Sequence, residues 1–242
     1  MTASYLLHGD MGTLLRGRWR GQNPVVQEVC RSAAIKDVLE SFGLPHTEVG
    51  EIHCNGHPVD FSWPVAAGQQ FAILPVLSPW DVLAPCLLRP EPLPEVRFLA
   101  DANVGRLARY LRLAGFDTAY DWRWDDDRIV AEILRENRIV LSRDLGLLKR
   151  RQITFGRCIR QTEPAIQLRE VLGLLGLTAK MHPFSRCLAC NSLLEAVDKR
   201  EILHLLAPLT RKYYHTFSRC PGCARIYWPG SHKEKMELLL AG

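Results

Sequence analysis

The chain has 242 residues, 47% of them hydrophobic and 24% charged, with a formal net charge of +5. Such a composition excludes a disordered or fibrous chain and leaves room for two or three small folded domains. No segment has the roughly 18 apolar residues of a membrane span, and the opening residues lack a basic stretch followed by a long apolar core, so a cytoplasmic protein without a membrane partner is expected.

The first clear strand pattern is "VVQEVC", residues 25–30. In "SAAIKDVLESFGLP" the residues Ile35, Val38, Leu39 and Phe42 recur at helical spacing, Ser32 is placed to cap the helix and Gly43 to stop it. "EVGEIHCNGHPVDF" and "QQFAILPVL" follow as strands, with Asn55-Gly56 a strong hairpin signal. Strands, one helix and more strands predict a small mixed α+β sheet crossed by a single helix. The helix ending in "GLP", the "NG" hairpin and the late strand "FAILPV" resemble the ubiquitin-like β-grasp domains of sulfur-carrier type. Sulfur carriers end in a free Gly-Gly; here the chain runs on through "LPVLSPW", so residues 1–80 are expected to bind or position something, a protein partner included, instead of carrying sulfur.

Prolines at 79, 85, 90, 92 and 94 interrupt any helix or ladder, and residues 81–95 read as a stiff linker. The charge changes sign there. Residues 1–95 hold 6 Lys and Arg against 10 Asp and Glu, a net −4, whereas residues 96–242 hold 25 against 16, a net +9. A basic back portion suits a polyanion such as nucleic acid, although a solvated basic surface gives the same balance.

Behind the linker the pattern becomes strand–helix–strand–helix–strand: "VRFLA" (96–100), "GRLARYLRLAG" (105–115), "FDTAY" (116–120), "DDRIVAEILREN" (126–137) and "RIVLS" (138–142). Short links between such elements imply right-handed crossovers and a parallel sheet, an α/β fold. On the first helix Leu107, Tyr110, Leu111 and Ala114 share one face, and Arg106, Arg109 and Arg112 the other.

Acids follow all three strands. Asp101 comes directly after the first, the run Asp125-Asp126-Asp127 after the second, and Asp144 after the third. Ligands of parallel sheets bind beyond the carboxyl ends of the strands, so these carboxylates are expected on one rim. Crowded carboxylates repel unless a cation joins them, and Mg²⁺ or Mn²⁺ with oxygen ligands is the natural one. Such a site suits phosphodiester hydrolysis, with arginines on the phosphate backbone. Taken singly, each acid reads equally as a turn former or helix cap.

The words "FLADANVGRLARYLRLAGFDTAYD" and "DDDRIVAEILRENRIVLSRDLGLLKRR", with "YWPGSH" near the end, resemble the Mut-seven C-terminal ribonuclease family of PIN-like nucleases. The resemblance covers about residues 96–242 and extends to the whole architecture, since bacterial members carry a similar front domain. It implies a PIN-like Rossmannoid parallel sheet over residues 96–180, a zinc ribbon over 181–242, and a metal-dependent ribonuclease. Position by position, the family's first acid falls on Asp101, its second on Asp126, and the acid of its "TRD" motif on Asp144, here in "SRD". Many PIN nucleases have a fourth acid; Asp121, Asp125 and Asp127 are the candidates. RNA contacts are expected from Arg106, Arg109, Arg112, Arg143, Lys149, Arg150 and His232, and structured RNA such as tRNA is the expected substrate.

The remaining motif is Cys187-x-x-Cys190, 29 intervening residues, then Cys220-x-x-Cys223. Two such turns present four thiolates to one structural Zn²⁺. Two redox dithiols are the alternative, without thioredoxin-like surroundings at either pair. Arg186, Arg211, Lys212, Arg219 and Arg225, interleaved with Tyr213, Tyr214, Tyr227 and Trp228, suit RNA, or the rings simply form the ribbon's core. A non-catalytic RNA-binding protein, with the front domain recruiting a partner, is the rival to the ribonuclease.

Overall fold

A computed structural model describes residues 1–229. The chain opens on β1 (Thr2–Leu7), where Ala3, Tyr5 and Leu7 alternate into the core. β2 (Val25–Glu28), α1 (Ile35–Phe42), β3 (Val49–Cys54), β4 (His57–Pro58) and β5 (Gln70–Pro75) follow. The sheet order is β2-β1-β5-β3-β4, with β1 and β5 parallel and the other pairs antiparallel. This is the β-grasp arrangement expected. α1 buries Ile35, Val38, Leu39 and Phe42 and ends at Gly43, left-handed at φ +104°. Its N-cap position is Ala34, whose methyl side chain cannot accept a hydrogen bond, and Ser32 lies outside the helix.

The second unit consists of β6 (Phe98–Ala100), α2 (Gly105–Leu113), β7 (Thr118–Ala119), α3 (Asp126–Glu136), β8 (Ile139–Ser142), α4 (Leu145–Leu148), β9 (Gly156–Cys158) and α5 (Pro164–Leu174). All its strands are parallel, in the order β7-β6-β8-β9. Alternate strand residues face opposite layers. Phe98, Ala100, Ile139 and Leu141 pack with Leu107 and Leu111 of α2 and Leu168 and Val171 of α5. Leu99 and Val140 pack with Ile129 and Ile133 of α3. Helices on both faces follow from right-handed crossovers that wind outward from β6 in opposite directions.

The α3 face also carries the β-grasp unit, because its core runs without a break into Leu99, Val140, Leu145, Leu148 and Ile153. The free edge of β9 is closed by Glu48, buried at 1% exposure. Its carboxylate accepts from the Cys158 amide at 2.7 Å and pairs with Arg157 at 2.8 Å and Arg160 at 3.2 Å. His46 Nε2 meets the Ile153 carbonyl at 2.8 Å. An exposed strand edge is thereby paired and hidden.

The proline-rich segment forms no helix or strand, yet it is packed. Val82 and Leu93 join the core of the parallel sheet and Leu88 that of the β-grasp unit. Arg89, 2% exposed, donates to the carbonyls of Val49 and Thr47 on one side and of Thr154 on the other, at 2.9, 3.1 and 3.2 Å. Carbonyl oxygens meet this buried cation without a direct carboxylate contact, and through them it clamps both units.

The last unit holds β10 (Glu195–Val197), α6 (Lys199–Ile202), α7 (Pro208–Tyr213), β11 (Phe217–Arg219) and β12 (Ile226–Tyr227), in a three-stranded antiparallel sheet ordered β10-β11-β12. Its buried core is Ile202, Leu206 and Phe217. No helix among the described residues is long and apolar enough to cross a membrane.

Candidate active site and metal centre

β6 and β8 are neighbours whose chains leave in opposite directions, so their carboxyl ends form the switch point of the sheet. Asp101 and Asp144 emerge there and are joined by one hydroxyl. Ser142 Oγ donates to Asp101 Oδ2 at 2.6 Å and accepts from the Asp144 amide at 2.8 Å. Ser142 itself is fully buried. Asn103, which sequence reasoning missed, completes the unit: its Nδ2 donates to Asp101 Oδ2 at 2.5 Å and its Oδ1 accepts from the Arg143 amide at 3.0 Å. The signal for it was only its place two residues after Asp101.

Both acids also act as caps. Asp101 accepts from Ala102 N at 2.5 Å, and Asp144 accepts from Gly146 N at 2.6 Å. On α3 the cap is Asp125, which accepts from Arg128 N at 2.8 Å. Asp126 is therefore free of capping, at the first helical position, and its carboxylate lies 3.4 Å from Arg150 Nη2. The other proposed fourth acids are also engaged: Asp127 with Arg150 at 2.8 Å, and Asp121 with Arg123, which holds its carboxyl down at about 2.

Two of the expected RNA contacts are engaged within the protein, and one of them, Arg112, needs correction. Arg112 is 5% exposed; its Nε donates to the Thr118 carbonyl at 2.9 Å and its Nη1 to the Ala189 carbonyl at 2.9 Å. It ties the sheet to the Cys187–Cys190 turn and is not part of an exposed stripe. Arg150 is neutralised by Asp126 and Asp127. Arg106 and Arg109 are exposed on α2, while Arg143 and Lys149 line an open cleft beside Asp144. His232 lies outside the described residues.

The four cysteines do gather. Cys187 and Cys190 precede β10, Cys220 and Cys223 lie between β11 and β12, and all four sulfurs lie within 4.8 Å of one another. Cys190 and Cys220 Sγ are 3.2 Å apart, and Cys187 and Cys223 Sγ 3.5 Å. A tetrahedral Zn²⁺ at about 2.3 Å from each sulfur would ask for only a small spreading. Burial disfavours the Cys187 thiolate, but hydrogen bonds from the Tyr227 hydroxyl and the Cys190 and Ala189 amides outweigh it and bring the thiol down to about 6. The donor set is closed and all-sulfur, which fits a structural zinc. Among the described residues it is the only group of three or more His, Cys, Asp or Glu gathered closely enough to hold an ion.

This centre sits at the pole of the sheet opposite the acids. Asn191, just past Cys190, accepts from the amide of Thr118, where β7 begins, at 3.0 Å and donates to Asp117 at 2.9 Å. Burial works against the Asp117 carboxylate, yet Arg138 and Asn191 hold its pKa below the usual range. At Gly115 a Cβ would lie 2.4 Å from the His182 carbonyl, so only glycine permits this approach of the ribbon.

Two family descriptions match the sequence: "Mut7-C RNAse domain" over residues 96–240 and "Mut7-C ubiquitin" over residues 7–81. The chain belongs to the Mut7-C RNAse domain family. Comparison with curated proteins and with solved structures gives no match. The two Mut7-C matches fall on the parallel sheet with its cysteine-bearing extension and on the β-grasp unit respectively. The Mut7-C RNAse match points to a nuclease-like, RNA-related function and places the acid-bearing switch point inside the matched region.

Proposed function

We propose that the protein is a cytoplasmic, metal-dependent ribonuclease of PIN-like fold that hydrolyses RNA phosphodiester bonds, structured RNA such as tRNA being the substrate class suggested by family and charge. The observation that carries the reading is the placement of Asp101 and Asp144 at the switch point, locked together through Ser142.

Asp101 and Asp144 offer hard oxygen donors on one rim; Asp126, the third acid of this reading, is held by Arg150 and would have to leave it to join them. A Mg²⁺ or Mn²⁺ ion held there would neutralise charge on the reacting phosphate. Ser142 and Asn103 fix the Asp101 carboxylate, the Asp144 backbone is held by the same hydroxyl, and Arg143 and Lys149 bind phosphate oxygens. The four cysteines hold zinc at the far pole and take no part in the reaction.

The test is cleavage of labelled RNA by the full chain with Mg²⁺ or Mn²⁺, after brief EDTA treatment that leaves zinc in place, and by Asp101→Asn. Metal-restored cleavage by wild type, lowered at least about 100-fold in Asp101→Asn, is expected. Equal cleavage in all arms removes the metal mechanism. One observation favours a second reading, an RNA-binding protein without cleavage: Asp126 is paired with Arg150, and Asp121, Asp125 and Asp127 are each engaged with a neighbour. RNA binding that weakens with salt and no cleavage with either metal would select it.

A further inference from the structure

The cleft beside Asp144, about 560 Å³, is lined from two directions. Asn103, Arg143, Asp144 and Lys149 come from the parallel-sheet unit, and Arg16 and Gly43 from the β-grasp unit. Its volume lies within the roughly 300–1,000 Å³ of ligand sites.

Arg16 is positioned with care. Its amide donates to the Phe42 carbonyl at 2.8 Å, which ties it to the end of α1. Its stem lies over Gly43: a Cβ there would be 2.5 Å from Arg16 Cγ. Gly43 thus serves both the left-handed turn and the seat of the arginine. Other interface arginines are spent on holding the units together, since Arg157 and Arg160 pair with Glu48. Among the described residues no carboxylate pairs with Arg16. The cleft therefore presents three cations, Arg16, Arg143 and Lys149, around one carboxylate. An excess of forked and point cations in a concave site selects a phosphate-bearing chain.

We propose that Arg16 binds a backbone phosphate of the RNA strand, so that the ubiquitin-like domain forms one wall of the RNA cleft. This rests on the ribonuclease reading for its choice of ligand. The domain's packing against the α3 face is what holds Arg16 across from Asp144, and the cleft exists only in the assembled chain.

The experiment measures binding of a labelled single-stranded RNA to the full chain without Mg²⁺ or Mn²⁺, over a range of salt, by fluorescence anisotropy. Arg16→Gln is expected to weaken binding about tenfold and to reduce the slope of log affinity against log salt by about 0.7. Arg16→Lys recovers most of the affinity. Arg20→Gln, in the same exposed loop but outside the cleft lining, retains wild-type binding. In cleavage assays Arg16→Gln raises KM and leaves kcat in place. Wild-type affinity and salt slope in an Arg16→Gln chain that melts like wild type would overturn the proposal. RNA held through Arg16 without any cleavage would uphold the cleft and refute only the nuclease reading; cleavage that ignores Arg16 would refute only the cleft.

Discussion

Glu48→Ala is expected to lower the stability of the full chain by about 3–5 kcal/mol, the usual cost of removing one partner from a buried ionic group. The carboxylate is 1% exposed and serves three groups at once: the Cys158 amide, Arg157 and Arg160. Its loss leaves the edge amide of β9 without an acceptor and opens a void between the units. Glu48→Gln is expected to cost much less. Burial raises the Glu48 pKa against the pull of Arg157, the Cys158 amide and Arg160, so a neutral carboxamide resembles the form that burial favours. It also keeps an acceptor for Cys158, while Arg157 retains Glu170 and Arg160 retains Asp10. Urea denaturation of the three chains checks this. Equal midpoints for Ala and wild type would mean that the β-grasp unit is not held by this contact.

Cys220→Ser is expected to abolish zinc retention and to unfold the ribbon. Among the described residues the unit's hydrophobic core is Ile202, Leu206 and Phe217, beside the buried Cys187 and Cys220, too little for an independent core, so metal ligation is expected to supply the rest. Zinc binding contributes roughly 10–16 kcal/mol in small zinc-finger peptides, which is of the size needed. Metal analysis and hydrogen exchange over residues 187–229 are the measurements. Exchange should become fast in the ribbon and rise slightly at Thr118, whose amide depends on Asn191. Full zinc content with a protected ribbon in the variant would contradict the assignment.

Much of the architecture was legible because local patterns agree with the tertiary outcome. The helical spacing of Ile35, Val38, Leu39 and Phe42 and the short apolar runs ending in Ala100 and Ser142 describe elements that need their neighbours only for burial. β1 is less legible: Ala3, Tyr5 and Leu7 alternate, but over six residues the pattern is short. β9 escaped for another reason: "GRC" contains no apolar run, and its burial comes from Glu48 and Leu148 on other elements. The proline-rich segment looked like a spacer because proline content speaks of backbone stiffness and not of what Arg89 and Leu93 touch.

At the site, the rim placement of Asp101 and Asp144 followed from strand polarity alone, whereas their union through Ser142 depends on the pairing of β6 with β8. Arg112 shows the limit of a helical wheel. Its spacing groups it with Arg106 and Arg109, but the ribbon, about 75 residues later in the chain, covers that end of α2. Arg16 offered no signal, since nothing local tells that the β-grasp unit packs beside Asp144.

The most direct test of the central claim, that the carboxyl rim of the parallel sheet is where RNA is cut, is the single-turnover cleavage rate of Asp144→Asn beside wild type, with RNA affinity measured on the same samples. The account predicts a rate at least about 100-fold lower at unchanged affinity. A variant that cleaves at the wild-type rate would contradict it.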